Sequence, residues 1–271
     1  MRWKIGLPMY MACAPDEHRL LMLGIVAGLR AAGWTEPVEP VELVDDAVEL
    51  EAFWRSDALL LGQACGYPLM TSLAGQVRLL GTPRYDFAGC EGYRYSSFIV
   101  VANNSAIHAL EDLRGLGAAV NQPHSQSGMN ALRHAIAPLA RQGRFFSSVL
   151  ESGSHRASRD MVRHGRADVA SVDCITHGYL ALHAPHVLHG LRILDRTAYT
   201  PGLPLVSSLK LPDASATLLR KVLHQVFTPD GADTPAARLR LAGYAATSLA
   251  DYRAILDARQ LAQDCRYPEL A

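Results

Sequence analysis

Four short stretches carry groups that could hold or transform a small acid. The first is Ser125-Gln126-Ser127-Gly128, inside "VNQPHSQSGMNALRHAI", where an apolar run ending at Val120 gives way to a helix-patterned segment. N–H groups in the first turn of a helix have no intrahelical acceptor and lie at the positive end of the dipole. Such a turn can seat an oxyanion without Lys or Arg. Gly128 lets the backbone approach a ligand closely. Ser125 and Ser127 add hydroxyl donors. The competing reading is an ordinary serine N-cap.

The second stretch is Gly153-Ser154-His155 in "ESGSHRASRDMVRHG". Ser154 suits an N-cap, and a neutral imidazole at His155 can still donate one hydrogen bond to an anion. The competing reading is an exposed surface histidine. The third is Asp173 in "ADVASVDCITHG". It can accept a proton from a protonated ligand oxygen or cap the helix that follows, and both can hold at once. The fourth is "GQACGYPLMT", which places Gln63 and Tyr67 after the apolar run "ALLLG". Tyr10, after the first strand, belongs to the same rim. Tyrosines offer flat contact area with a hydroxyl, or are partly buried core aromatics.

These residues need a scaffold that brings strand ends together. Apolar patterning predicts strands at Lys4–Pro8, Val41–Val44, Ala58–Gly62, Gln76–Leu80, Tyr93–Ala102, Gly117–Asn121, Phe145–Leu150, Asp168–Val172 and Leu191–Arg196. Helices are expected at His18–Ala32, Ala47–Arg55 with Asp46 as its cap, Ala109–Leu113, Gly128–Arg141 and His155–His164. Three closing helices are expected at Ala214–Val226, Thr234–Ala242 and Leu249–Gln260. Alternating strands and helices imply an α/β protein with mainly parallel sheets flanked by helices. Two such sheets make a two-lobed clamp. Residues 1–95 plus 192–271 form one lobe and 96–191 the other, with hinge crossings near 93–102 and 191–196. Ligands in such sheets bind at the carboxyl ends of strands.

Lys plus Arg and Asp plus Glu are 26 each in the 271 residues, so no basic surplus points to nucleic acid. No apolar run is long enough to span a membrane. The start of the chain reads as a core strand rather than an export signal. The chain as written is therefore expected to be cytoplasmic, or periplasmic if a signal has been removed. Five cysteines without CxxC spacing argue against a complete disulfide framework. A Cys65–Cys90 bridge would require an oxidising compartment. No Walker A, GxGxxG, HExxH or GxSxG motif occurs, and His183, His186 and His189 lack a completing ligand, so no cofactor or metal is expected.

Taken in order, "QACGYPLMTSLAGQVRLLGTPRYDFAGCEGYRYSSFIVV", "DLRGLGAAVNQPHSQSGMNALR", "SGSHRASRDMVRHGRADVASVDC" and "PGLPLV" resemble the phosphate/phosphite/phosphonate ABC-transporter substrate-binding proteins, a branch of the type 2 periplasmic-binding-protein fold. The resemblance implies that Ser125, Gln126, Ser127 and Gly128 grip a phosphorus oxyanion, with His155 and Asp173 beside it. It implies that Tyr10 and Tyr67 close over the ligand, with Tyr95 at the hinge. The expected function is capture of a small phosphorus oxyanion by lobe closure, without conversion, by a monomer that partners an ABC-transporter permease. The alternatives are an enzyme or cytosolic sensor on the same fold. For the enzyme, Ser127, His155 and Asp173 would be nucleophile, base and carboxylate, an arrangement recognised by geometry rather than order.

Overall fold

The computed structural model describes residues 2–43 and 47–271. They fall into two compact units. The first is Met1–Phe87, Gly92–Arg94 and Pro201–Asp251, and the second is Ala88–Glu91, Tyr95–Thr200 and Tyr252–Ala271.

The first unit is built on a mixed sheet in the order Leu241–Ala245, Val77–Tyr85, Leu205–Ser208, Leu59–Gln63, Trp3–Gly6, Val38–Pro40. All five residues of Leu59–Gln63 are buried, as a central strand covered on both faces requires. Trp3–Gly6 runs parallel to it and to Val38–Pro40, whereas Leu205–Ser208 and Leu241–Ala245 pair antiparallel with their neighbours. The sheet thus joins a parallel half to an antiparallel half. The first long helix runs Pro15–Ala31, earlier than the expected His18, because Pro15 suits the opening turn and Asp16 and Glu17 face the dipole's positive end. Gly33, at φ +89°, ends it in the left-handed conformation that glycine adopts freely. Gly28 lets this helix approach Asp213–Phe227 closely: a Cβ there would lie 2.9 Å from Val222 Cγ1.

Two expectations change here. The second strand is Val38–Pro40 rather than Val41–Val44, and both Val44 and the expected cap Asp46 lie outside the described residues. The Thr234–Ala242 helix is reduced to Pro235–Arg238, with the Thr234 hydroxyl accepting from Ala237 N–H at 3.2 Å. Arg240, at φ +55°, breaks it, and Leu241–Ala245 becomes a strand whose Tyr244 hydroxyl donates to the Leu80 carbonyl.

The second unit has the strand order Leu191–Arg196, Ser97–Ala102, Val169–Asp173, Gly117–Val120, Ser148–Glu151. The last three are mutually parallel, so Asp173, Val120 and Glu151 end at one edge of the sheet. Ser97–Ala102 is antiparallel to both of its neighbours. Leu132, Ile136, Phe145 and Tyr267 pack with Ile99, Val101 and Val169 into one core. Truncating the fully buried Leu132 to Ala would cost about 2–5 kcal/mol.

The expected lobe boundaries also shift. Residues 192–200 and 252–271 belong to the second unit, not the first. Helix Arg253–Asp264 contributes Ala262 to the second unit's core, and the Ala271 carbonyl accepts from Phe145 N–H at 2.7 Å. Leu191–Arg196, expected as a crossing, is an edge strand of this sheet.

Candidate functional site

The three parallel strand ends of the second unit deliver the three predicted turns to one place. After Val120 the chain turns through Ser125, whose Oγ accepts from Gly128 N–H at 3.0 Å. Ser125 is therefore the cap, as its competing reading held. The helix does not start as a plain α-turn. Asn130 N–H donates to the Ser125 carbonyl, and Ala131 N–H donates to that of Gln126. These bonds reach back five residues, so Gln126–Asn130 is a wide π-type turn, a distortion often found at functional sites. The α-helix proper covers only Ala131–Ile136 and tightens at Ala137–Leu139, where Pro138 sits, so the expected Gly128–Arg141 helix is shorter and less regular.

The wide turn frees Ser127 for another contact. Its Oγ lies 2.8 Å from His155 Nε2, while its carbonyl accepts from the buried Ser171 hydroxyl at 2.7 Å. Gln126 is tied down by Asn130, whose Nδ2 donates to Gln126 Oε1 at 2.8 Å. Gly128 is required by crowding: a Cβ there would meet Asn121 Oδ1 at 1.9 Å and His155 Cε1 at 3.2 Å.

His155 opens helix His155–Arg163, capped by Ser154, whose Oγ accepts from Ala157 N–H at 3.1 Å. The His155 side chain is 13% exposed, and its Nε2 lies 3.4 Å from Asp173 Oδ2. Asp173 caps helix Cys174–His183. Its Oδ1 accepts from Ile175 N–H at 3.1 Å and Thr176 N–H at 2.8 Å, and its Oδ2 accepts from the Thr176 hydroxyl at 2.5 Å. Asp173 thus both caps a helix and faces the imidazole.

One ring nitrogen therefore meets both Ser127 and Asp173. A carboxylate can only accept, so Asp173 offers an acceptor to a ring proton on Nε2, while Ser127 can donate to or accept from that nitrogen according to the tautomer. In the tautomer with the proton on Nε2, Ser127 accepts from the ring and its own hydroxyl proton is left for an outside oxygen. Among the described residues, His155 Nδ1 and Asn121 Oδ1 are buried without a hydrogen-bond partner. In a nucleophilic triad the two ring nitrogens do different work: the carboxylate holds Nδ1, and Nε2 takes the serine proton. That division is not made here.

In the first unit, Tyr10 lies on the turn Pro8–Cys13 and Gln63 ends its strand, at the carboxyl ends of parallel neighbours. Tyr85 joins them. Its ring stands edge-on to that of Tyr10, with centroids 5.6 Å apart, and its hydroxyl accepts from Gln63 Nε2 at 3.4 Å. Tyr67 is half-buried on the short helix Gly66–Met70. Tyr95, in the second unit, is buried on the two-residue strand Arg94–Tyr95. Sequence reasoning missed Asn121 and Tyr85. Asn121 follows a strand directly in "VNQP", which was a usable signal.

The cysteines do not pair as considered. Cys65 and Cys90 are not joined in a disulfide, and Cys90 Sγ lies 3.5 Å from Cys174 Sγ. The contact with Cys90, reinforced by burial, pushes the Cys174 thiol well above its ordinary pKa.

Comparison with known proteins places this geometry. No curated protein matches the chain. A solved binding-protein component of an ABC phosphonate transporter from Pseudomonas aeruginosa is 17% identical with a TM-score of 0.76, covering 98% of this chain and 88% of that one. PhnD1 from Prochlorococcus marinus in complex with methylphosphonate is 13% identical with a TM-score of 0.76, covering 95% and 97%. XAC2383 from Xanthomonas citri bound to ATP is 19% identical with a TM-score of 0.72, covering 97% and 98%. The fold they share is that of the type 2 periplasmic-binding proteins. Among the described residues, no helix is long and apolar enough to cross a membrane. Residues 34–252 match the family described as ABC transporter, phosphonate, periplasmic substrate-binding protein, and the chain belongs to that family.

Proposed function

We propose that this solute-binding protein captures a small phosphorus oxyanion, of the phosphonate, phosphite or phosphate class, and releases it unchanged to an ABC-transporter permease. The observation that carries the reading is the Ser127–His155–Asp173 cluster. With the ring proton on Nε2, it leaves the Ser127 hydroxyl proton for an external acceptor beside a helix start whose N–H groups favour an anion. Ser125 holds the turn, Gln126 contributes backbone, and Gly128 keeps the approach open. His155 and Asp173 fix the orientation of Ser127. In this reading Tyr10, Gln63, Tyr67 and Tyr95 are further ligand contacts, the protein acts as a monomer, and the working compartment is the periplasm.

Neutral donors suit a binder that must also let go. The enzyme alternative draws on the same three residues, but Asp173 faces the same ring nitrogen as Ser127 rather than Nδ1. Calorimetric titration with methylphosphonate, phosphite and phosphate tests the proposal. Saturable one-to-one uptake of at least one supports it, and no heat with any of them ends it.

A further inference from the structure

Within the second unit, the sheet face opposite its main core carries a cavity of about 290 Å³, close to the lower end of small-molecule sites. Its walls are aliphatic: Val100, Val172, Leu180, Leu188, Leu191 and Ile193. One charged group reaches it from helix His155–Arg163. Arg159 is 2% exposed, and only its Nη2 is engaged, donating to Asp160 Oδ1 at 2.8 Å. Its Nε and Nη1 are buried with no hydrogen-bond partner among the described residues. Buried guanidinium N–H groups without acceptors are costly, and an acceptor entering the cavity would relieve that cost.

Two further polar side chains line this cavity, Arg192 and His177. Arg192 donates through Nη2 to the Ile107 carbonyl. His177 packs its ring edge-on against Phe98, with centroids 5.0 Å apart, and burial lowers its pKa and favours the neutral form.

We infer that this cavity binds a small organic carboxylate with an apolar body, its head on Arg159 and its tail against the aliphatic walls. A bare phosphate would set its remaining oxygens against hydrocarbon, whereas an alkyl or aryl acid buries carbon there. The site is separate from the Ser127 turn and does not depend on the function proposed for it.

Calorimetric titration of the full chain with hexanoate, benzoate and acetate tests the inference. Hexanoate or benzoate should bind one-to-one and at least tenfold more tightly than acetate. Arg159→Met should weaken that binding at least tenfold. Leu188→Trp, at the half-exposed wall, should abolish it by filling the space, and this variant decides the matter if Arg159→Met does not fold. Ser127→Ala should leave it unchanged. The inference is overturned by absence of hexanoate and benzoate binding, by equal affinity for acetate, by insensitivity to the variants at the cavity, or by loss of binding in Ser127→Ala.

Discussion

The Ser127 hydroxyl lies 2.8 Å from Nε2 of His155, and the carboxylate of Asp173 faces that same nitrogen. Three residues whose chain order suggested a catalytic relay thereby meet at one ring nitrogen. In the tautomer with the proton on Nε2, that N–H is shared by Ser127 and Asp173 and the serine proton is free to face outward. Removing the hydroxyl should cost one hydrogen bond to a charged ligand. Ser127→Ala should weaken methylphosphonate binding by about 1–3 kcal/mol while the fold is kept. Unchanged affinity in titration calorimetry would reduce the turn to a helix cap.

Gly128 offers a steric test of the same turn. A methyl group there would collide with Asn121 Oδ1 and press on His155. Gly128→Ala should destabilise the protein by about 1–3 kcal/mol through overpacking and weaken phosphonate binding beyond the effect of Ser127→Ala. Denaturant melts and titrations on the two variants check this. Equal stability and affinity to the parent would show that the turn is looser than the geometry implies.

How much of this was legible in the sequence depended on local chemistry. The loops SQSG and SGSH and the residue Asp173 announced themselves because capping residues and glycines follow apolar strand runs, and the parallel pairing of Gly117–Val120, Ser148–Glu151 and Val169–Asp173 brings them together. The π-type turn at Gln126–Asn130 was not legible, because a serine cap followed by glycine reads equally as the start of an ordinary α-helix. The placement of helix Arg253–Asp264 was hidden for a similar reason: its apolar stripe fits either unit, and tertiary packing against the second decides. The Thr234–Ala242 segment carried helical residues, yet pairing with Val77–Tyr85 overrode them beyond Arg238.

His18 gives the protein a pH dependence remote from the site. It is 2% exposed, its Nδ1 lies 2.7 Å from the Ala14 carbonyl, and burial lowers its pKa below 6.5. Between that lowered value and 6.5 the unfolded chain binds more protons than the folded one, so stability falls as pH drops through this window. His134 and His177 are shifted the same way by burial. The melting temperature should therefore fall on moving from neutral to mildly acidic buffer, and fall less in His18→Gln. Parallel slopes for the two proteins would contradict the assignment to His18.

Cys90 and Cys174 are near enough to couple with a small side-chain rotation. Gly89, at φ +92°, permits the approach, since a Cβ there would meet Cys174 Cβ at 2.7 Å. Because the Cys174 thiol is held protonated, oxidation by diamide should be slow at neutral pH and faster in base. Intact mass should show loss of two hydrogens, reversed by reductant and absent in Cys174→Ser. A bridge that involves Cys65 instead would contradict this pairing.

The central claim is that the Ser127 turn holds a phosphorus oxyanion without transforming it. Phosphorus NMR of methylphosphonate titrated with the protein tests this most directly. A bound resonance should appear with one-to-one saturation, weaken in Ser127→Ala, and return to the free ligand's unchanged signal after prolonged incubation and release. No bound resonance, or a new phosphorus product, would contradict the account.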